Sequence, residues 1–546
     1  MTDSRKNATL VIDYHERTKH RFDGYAKGPE TIDWDAQPNL FRRFEGAPCF
    51  ELPLQESDTG PSYASLFNKA QITPQEWNHA TISRLLQFSI TLSAWKQYGT
   101  SRWSLRCNPS SGNLHPTETY LILMGVEGFQ DGLYHYRVDV HQLELRCRYP
   151  ETESISKPLL LLGFSSVHWQ EAWKYGERAY RYCHLDLGHA LAAVSYAAVL
   201  VGYRVTPLQG IDTNSLKRLL GLDRSNEFYP DEAEQGDMLL AFHTTANPTR
   251  FAVDEILHAT LNGEWHGKAN RLDPKHLYEW PAIDEVAQAA ARPAGISEEL
   301  TPESWPDAIT AADHPLSLQP AQRLFLQRRS AQSYDAESRI SGNDFFRMLD
   351  RLLPRIDLPP WSALTWQPRL HLILIVHGVD GLPSGLYLLA RRKHAREMLK
   401  NIIRDDLLWE TVDAAPSHLP LFHLVQAKSR RAAMQLSCLQ AIAGDSAFSL
   451  GMLAEFDTLN EAPWRYNELF WEAGMISQSL YLEAEAIGLR GTGIGCFFDD
   501  GVHEMLGIQD RSLQSIYHFT VGTPLNDPRL ATLPPYQDKR VLSVPR

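Results

Sequence analysis

The stretch GVEGFQDGLY, Gly125–Tyr134, returns later in the chain as GVDGLPSGLY, Gly378–Tyr387, without a gap. Each copy follows an apolar run, Thr119–Met124 in the first case and Leu370–His377 in the second. Such runs read as strands, and a Gly-rich segment between two of them reads as a turn. Both copies are expected to form strand, turn, strand. A repeat over this distance makes the chain a candidate for two related units.

A second pair of segments supports duplication. From Gly188 the sequence reads GHALAAVSYAAVLVG, and from Gly474 it reads GMISQSLYLEAEAIG. Leu187, Ala190, Val194, Ala197 and Val201 recur at helical spacing, as do Leu469, Ala473, Ile476, Leu480, Ala484 and Ile487. Gly202 and Gly488 are the expected stops. A small-residue connection follows each helix, TPLQGID in one half and GTGIGCFFDD in the other. Two apolar helices resemble one another by chance; two elements in the same order do so far less readily. The expected organisation is a first unit at 1–275, a structured linker with short helices at 276–320, and a second unit at 321–546.

Composition narrows the function. The chain has 546 residues, 43% hydrophobic and 22% charged, with fourteen Trp, as expected of a globular protein with large cores. Its formal charge of −13 argues against a nucleic-acid partner, since a phosphate backbone calls for a basic surface. Six scattered cysteines without CxxC spacing point to a reduced, cytoplasmic chain and to no metal site. The first residues mix charges and show no secretory signal. The longest apolar run, Ala190–Val201, is short for a bilayer and reads as a buried helix, so no membrane partner is expected.

Three motifs bear on chemistry. Arg328–Tyr334 reads RRSAQSY, with RTKHRF at Arg17–Phe22 as its counterpart. Guanidinium forks beside a hydroxyl suit a phosphate, although a solvated basic patch has the same composition. Asn108–Glu118 reads NPSSGNLHPTE: its small hydroxylated residues would let donors approach a flat ring, and they would equally make a turn. Gly491–Phe497 reads GTGIGCF; it is not the dinucleotide fingerprint, and a plain connection after a helix is the alternative. His15 and His20 lack metal-pair spacing and are expected on the surface.

Together these residues resemble the nitroreductase superfamily, and within it the SagB/ThcOx-type dehydrogenases, in a tandem version. The resemblance implies an α+β fold, with each unit a mixed, mainly antiparallel sheet flanked by helices and the two packed as a pseudo-dimer. The chain would be a monomer or a homo-oligomer of such pseudo-dimers. It implies FMN held by Arg328, Arg329 and Ser330, by Pro109, Ser110, Ser111, Gly112 and Asn113 from the other half, and by Gly493, Ile494, Gly495 and Cys496. Gln332 stands where a second basic residue is common, leaving Arg106 or Arg529 as substitutes.

From Arg17 to Tyr134 the first half is roughly sixty residues longer than the second from Arg328 to Tyr387. The extra stretch holds the Ser110–Asn113 motif, and nothing similar follows Leu353. One complete FMN site is therefore expected, together with a degenerate mirror site built on Arg17, Thr18, Arg21 and Pro207–Gly210. The segment WKYGERAYRY from Trp173 resembles the Lys-Tyr pair of azoline-oxidising members, which makes Lys174 the implied base and Tyr175 its partner. Arg465 and Tyr466 would be the corresponding pair. The implied function is FMN-dependent dehydrogenation of an organic substrate, such as azoline rings in a modified peptide. An NAD(P)H-dependent nitro or quinone reductase and a non-catalytic flavin-binding partner in a biosynthetic complex are the alternatives.

Overall fold

The computed structural model describes residues 2–67, 72–151, 158–244, 253–273, 275–297, 300, 303, 305–309, 314–537 and 541–542. The strands that matter are β1 (Thr117–Met124), β2 (Gly132–Arg137), β3 (Gln142–Arg148), β4 (Leu159–Ser166), β5 (Arg204–Pro207) and β6 (Gln235–His243). Their counterparts are β7 (Leu370–Val376), β8 (Gly385–Leu389), β9 (Leu421–Gln426), β10 (Phe448–Glu455), β11 (Arg490–Ile494) and β12 (Leu513–Gly522). The first sheet runs β5-β6-β4-β1-β2-β3 and the second β11-β12-β10-β7-β8-β9, each with a two-residue strand beyond its last member. The two orders are the same, and every pairing in them is antiparallel. The fold is α+β, with two halves whose sheets share one strand order.

The repeated decapeptide has a physical reason. In each copy the Gly-Leu-Tyr end opens the second hairpin strand, with a β-bulge between Leu133 and Tyr134 and again between Leu386 and Tyr387. A Cβ on Gly132 would fall 2.2 Å from the Cys147 carbonyl oxygen, and one on Gly385 would fall 1.9 Å from that of Val425. Only glycine fits where a bulged neighbour comes this close. Each tyrosine hydroxyl then closes its turn by donating to a carbonyl four residues back, Gln130 at 2.7 Å and Pro383 at 2.8 Å.

The helices are α1 (Thr2–Arg17), α2 (His168–Tyr175), α3 (Ala179–Leu200), α4 (Ala321–Gln327), α5 (Arg465–Glu485) and α6 (Asp499–Leu506). Helices α3 and α5 pack on each other between the sheets, in one hydrophobic core shared by both halves. They cross at Gly188 and Gly474. A Cβ there would sit 2.2 Å from the Trp471 carbonyl oxygen or 2.3 Å from that of Leu185, so the paired glycines set the approach of the two backbones. The stretch His168–Leu200 is long and apolar enough to cross a membrane, but it is buried inside the protein; in α3 every residue except Val199 is buried.

Two expectations change. Arg490–Ile494 is not a loop but edge strand β11, paired with β12. Its alternating glycines follow the strand period: a Cβ on Gly491 would meet the Phe519 ring at 2.5 Å, and one on Gly493 the Tyr517 hydroxyl at 2.0 Å. Counting from the crossing glycines, Arg465 and Tyr466 correspond to Ala179 and Tyr180, not to Lys174 and Tyr175. The rings of Tyr180 and Tyr466 lie 6.5 Å apart and parallel across the seam. Within 276–320, Pro281–Ala289 is helical, while 298–299, 301–302, 304 and 310–313 lie outside the described residues.

Beyond β12 the chain returns to the first half. Ala531–Leu533 adds to the hairpin strand Leu92–Tyr98, and Val541–Leu542 pairs in parallel with Leu54–Gln55. The halves are thus tied at the end of the chain as well as at the helix crossing.

Candidate active site

The loop Asn108–Glu118 joins the hairpin strand Ser101–Arg106 to β1. Ser111–Asn113 form one 3-10 turn, in which Gly112 (φ 58°) and Asn113 (φ 61°) are left-handed, as is His115 just beyond it (φ 54°). L residues adopt that conformation only where surroundings impose it. The surroundings are visible: Ser111 donates to Asp186 Oδ1 through its amide (2.9 Å) and its hydroxyl (3.0 Å). Asn113 Nδ2 donates to the Ser104 carbonyl, and the His115 amide donates to Ser110 Oγ. Gly112 is packed against Tyr175, whose hydroxyl lies 2.5 Å from where a Cβ would stand.

The second half supplies Arg328 from the end of α4. Its Nε donates to the Cys107 carbonyl at 2.7 Å and its Nη2 to that of Arg106 at 3.1 Å, with the guanidinium 4.9 Å from the Tyr481 ring centre. An arginine of one half therefore holds the entrance to the loop of the other. Arg329 turns back on Ser93 and the Leu326 carbonyl. Ser330 Oγ and the Gly493 amide both meet the Tyr481 hydroxyl, at 2.9 Å each. The three sequence motifs converge on one place.

They enclose two adjoining cavities that share Pro109, Ser110 and Ser330. The larger, about 420 Å³, is basic: Lys96, Arg106, Arg328, Arg329 and Arg490 line it. Burial, and then Arg328, bring the Arg329 guanidinium down to about 10. The smaller, about 230 Å³, is walled by Tyr175, Tyr182, Tyr481 and Tyr517, with Gly493–Cys496 along one side and Asp186 and His189 from α3. Burial pushes the Asp186 carboxyl up to about 7, partly offset by its bonds to Ser110 and Ser111, and pushes His189 down to about 3.

Buried polar atoms without partners gather around these cavities: Arg328 Nη1, Arg106 Nε, Asn108 Oδ1, His115 Nδ1, Asp186 Oδ2 and His189 Nδ1. Buried polar groups are nearly always hydrogen-bonded, so these residues suit a polar ligand. A basic chamber opening into a tyrosine-walled slot fits a phosphate-bearing planar cofactor such as FMN, and both chambers are of the size that cofactor sites take.

In the second half, Thr365 and Trp366 lie ahead of β7, as Ser111–Asn113 lie ahead of β1. Its mirror cavity, beside Pro207–Gln209 and Asp237, is only about 50 Å³ and is packed with Trp366, Trp464 and Trp471. The motif Arg17–Arg21 does not reach it. Arg17 is paired with Glu177, while Lys19 and Arg21 are paired with Asp500. Among the described residues that line the mirror pocket, Arg292 is the one basic side chain.

Residues 326–523 match the Nitroreductase family. A candidate nitroreductase of Methanocaldococcus jannaschii is 24% identical over 134 residues, 22% of this chain and 68% of the relative. A crystal structure of a candidate nitroreductase from Anabaena variabilis superposes with a TM-score of 0.67 at 22% identity, covering 94% of this chain and 99% of that one. Both halves thus share a fold with one solved chain. The structure of the E. coli microcin synthetase McbBCD complex with truncated pro-MccB17 bound is 18% identical, covering 44% of this chain and 93% of that one at a TM-score of 0.27, too slight a superposition to bear on function.

Of the residues expected at the nitroreductase site, Pro109, Ser110, Ser111, Gly112 and Asn113, Arg328, Arg329 and Ser330, and Gly493, Ile494, Gly495 and Cys496 all border the two cavities. Tyr175 borders the smaller one; Lys174 does not, its Nζ lying 5.9 Å from the Trp34 ring centre. Arg106 lines the larger cavity, whereas Arg529 is exposed and paired with Asp527. The sequence reading missed Asp186, His189, Tyr481, Tyr517, Lys96 and Arg490. His15 is buried against Tyr466, not on the surface, and His20 packs over Cys496.

Proposed function

We propose that the chain is an FMN-dependent oxidoreductase with one FMN bound in the seam between its halves, and that it dehydrogenates an organic substrate, such as an azoline ring in a modified peptide. The observation that carries this reading is the ring of unpartnered buried polar atoms around a basic chamber and a tyrosine slot. Lys96, Arg106, Arg328 and Arg329 would take the phosphate, with Arg328 Nη1 free to donate a charge-assisted bond. Ser110–Asn113 and Gly493–Cys496 would flank the ring system. The FMN, when bound, accepts or gives hydride at its ring nitrogen.

Dehydrogenation also needs a proton acceptor, and Asp186 is suited to that role. Its Oδ1 is fixed by Ser111 while Oδ2 has no partner, and its carboxyl titrates at about 7. A base poised near the working pH combines the right protonation state with useful driving force. The Tyr175 hydroxyl, against Gly112, would orient the reacting group.

The test is direct. Purified protein should be yellow and release about one FMN per chain on denaturation. Its spectrum should persist when NADH or NADPH is added without oxygen, and bleach with a substrate that can lose hydride. Rapid bleaching by either nicotinamide would make the chain a reductase; a colourless protein that takes up no added FMN would end the reading.

A further inference from the structure

Two cysteines meet beside the smaller cavity. The Phe498 amide donates to the Leu436 carbonyl at 2.8 Å, and Gln440 Nε2 donates to the Cys496 carbonyl at 3.0 Å. The segments 436–440 and 496–498 are therefore in contact, and the Cys438 and Cys496 thiols interact across that contact. Cys438 (φ 50°) and Leu439 (φ 62°) are consecutive left-handed residues, a conformation retained only where something over-determines it.

The environment polarises the pair. A hydrogen bond from Cys438 holds the Cys496 thiol well below its ordinary range, with His20 and Arg178 adding to the effect; the Cys438 thiol is pushed up in return. The Ala26 amide donates to His20 Nδ1 at 3.0 Å, which leaves Nε2 to carry the ring proton toward Cys496. A thiolate beside a thiol and an imidazole is the arrangement that makes disulfide exchange fast. The remaining cysteines lack it. Burial pushes Cys107 and Cys147 up to about 12 and raises Cys183 further, while Cys49 is an exposed single thiol. Cys496 itself lines the cavity assigned to the flavin ring.

We propose that Cys438 and Cys496 form a redox-active dithiol that exchanges two electrons with the flavin. The two S–H bonds are lost and one S–S bond forms. The two electrons and two protons released pass to the oxidised flavin, which becomes the reduced flavin; in reverse, reduced flavin opens the bridge. The pair would be a second two-electron store beside the first. This rests on the flavin reading of the cavity.

Anaerobic reductive titration of the holoprotein, first oxidised with glutathione disulfide, reads the store directly. Wild type should take up about four electrons per FMN, and C438S about two, with unchanged FMN content. Peptide mapping of FMN-free protein equilibrated in glutathione buffers should find a Cys438–Cys496 bridge and no other. A yellow wild type that takes up only two electrons, or mapping that leaves both thiols free, overturns the dithiol. A colourless protein that still forms the bridge overturns the flavin reading and with it the electron exchange, so the two failures are told apart.

Discussion

The seam between the halves has two ends built from the same elements, and only one is open. At the open end, a 3-10 turn of small residues, Ser111–Asn113, leaves chambers of about 420 and 230 Å³. At the other, Trp366, Trp464 and Trp471 line a space of only about 50 Å³. The long helices show the same divergence. Two residues before each crossing glycine stands an acid, Asp186 or Glu472. Asp186 Oδ2 has no partner, whereas Glu472 is tied to Arg391 and to the Arg369 amide. The scaffold has the same strand order on both sides, and side-chain volume and charge pairing leave more room on one of them.

The pair of acids gives the largest expected effect. D186N should lower turnover by about 10²–10⁴-fold with FMN still bound, and should abolish the rise in rate through pH 7. Its stability effect has a definite sign. The folded value, about 7, is raised above the ordinary carboxyl value of 3.8, so between those pH values the native state holds a proton that the unfolded chain has released. Stability is therefore full below about pH 4 and falls by up to roughly 4 kcal/mol as pH approaches 7. Urea unfolding at pH 8 should find D186N more stable than wild type, with no gain at pH 4. E472Q should do the reverse and destabilise by about 3–5 kcal/mol, because it leaves Arg391 buried without its anion.

Opening the closed end should not make a second site. W366A would remove a ring from a packed wall and lower stability by about 3–5 kcal/mol in urea unfolding. FMN should remain at about one per chain, since Arg17 and Arg21 are committed to Glu177 and Asp500. A second equivalent of FMN in W366A would break the comparison. R328A should weaken FMN binding by about 100-fold in a fluorescence titration, because a buried guanidinium and its anchor on the Arg106 and Cys107 carbonyls go together. R17A, on a half-exposed side chain, should leave FMN affinity within about two-fold.

Much of this architecture could be read locally. The decapeptide repeat fixed two hairpins because the bulge and the tyrosine-to-carbonyl bond need Gly-Leu-Tyr, and the helix glycines marked the crossing. Arg328–Ser330, Pro109–Asn113 and Gly493–Cys496 could be brought together only through a resemblance, since no local pattern places segments this far apart against one another. The rest depended on long-range partners. Asp186 sits in an apolar helix and looks like a buried residue among others; its free oxygen follows from Ser111 taking the other one. Arg17–Arg21 resembles Arg328–Tyr334 in composition, but Glu177 and Asp500, remote in sequence, capture it. The contributions of Lys96 and Arg490 appear only once Ala531–Leu533 has crossed to the first half and closed the chamber.

The smallest expected difference separates neighbours on one helix. Lys174 and Tyr175 end α2 together, but a helix sends adjacent side chains in different directions. Tyr175 enters the slot against Gly112 and Tyr182, whereas Lys174 does not line it, its ammonium lying 5.3 Å from the Tyr175 ring centre and 5.9 Å from that of Trp34. If a positioned hydroxyl matters and the ammonium acts only at a distance, Y175F should lower kcat by about ten-fold and leave FMN affinity unchanged, roughly one hydrogen bond to the reacting group. K174M should change kcat by less than about three-fold. The reverse ranking in steady-state kinetics would return the proton-accepting role to Lys174, and would require the rim at Trp34 to close over the cavity during turnover.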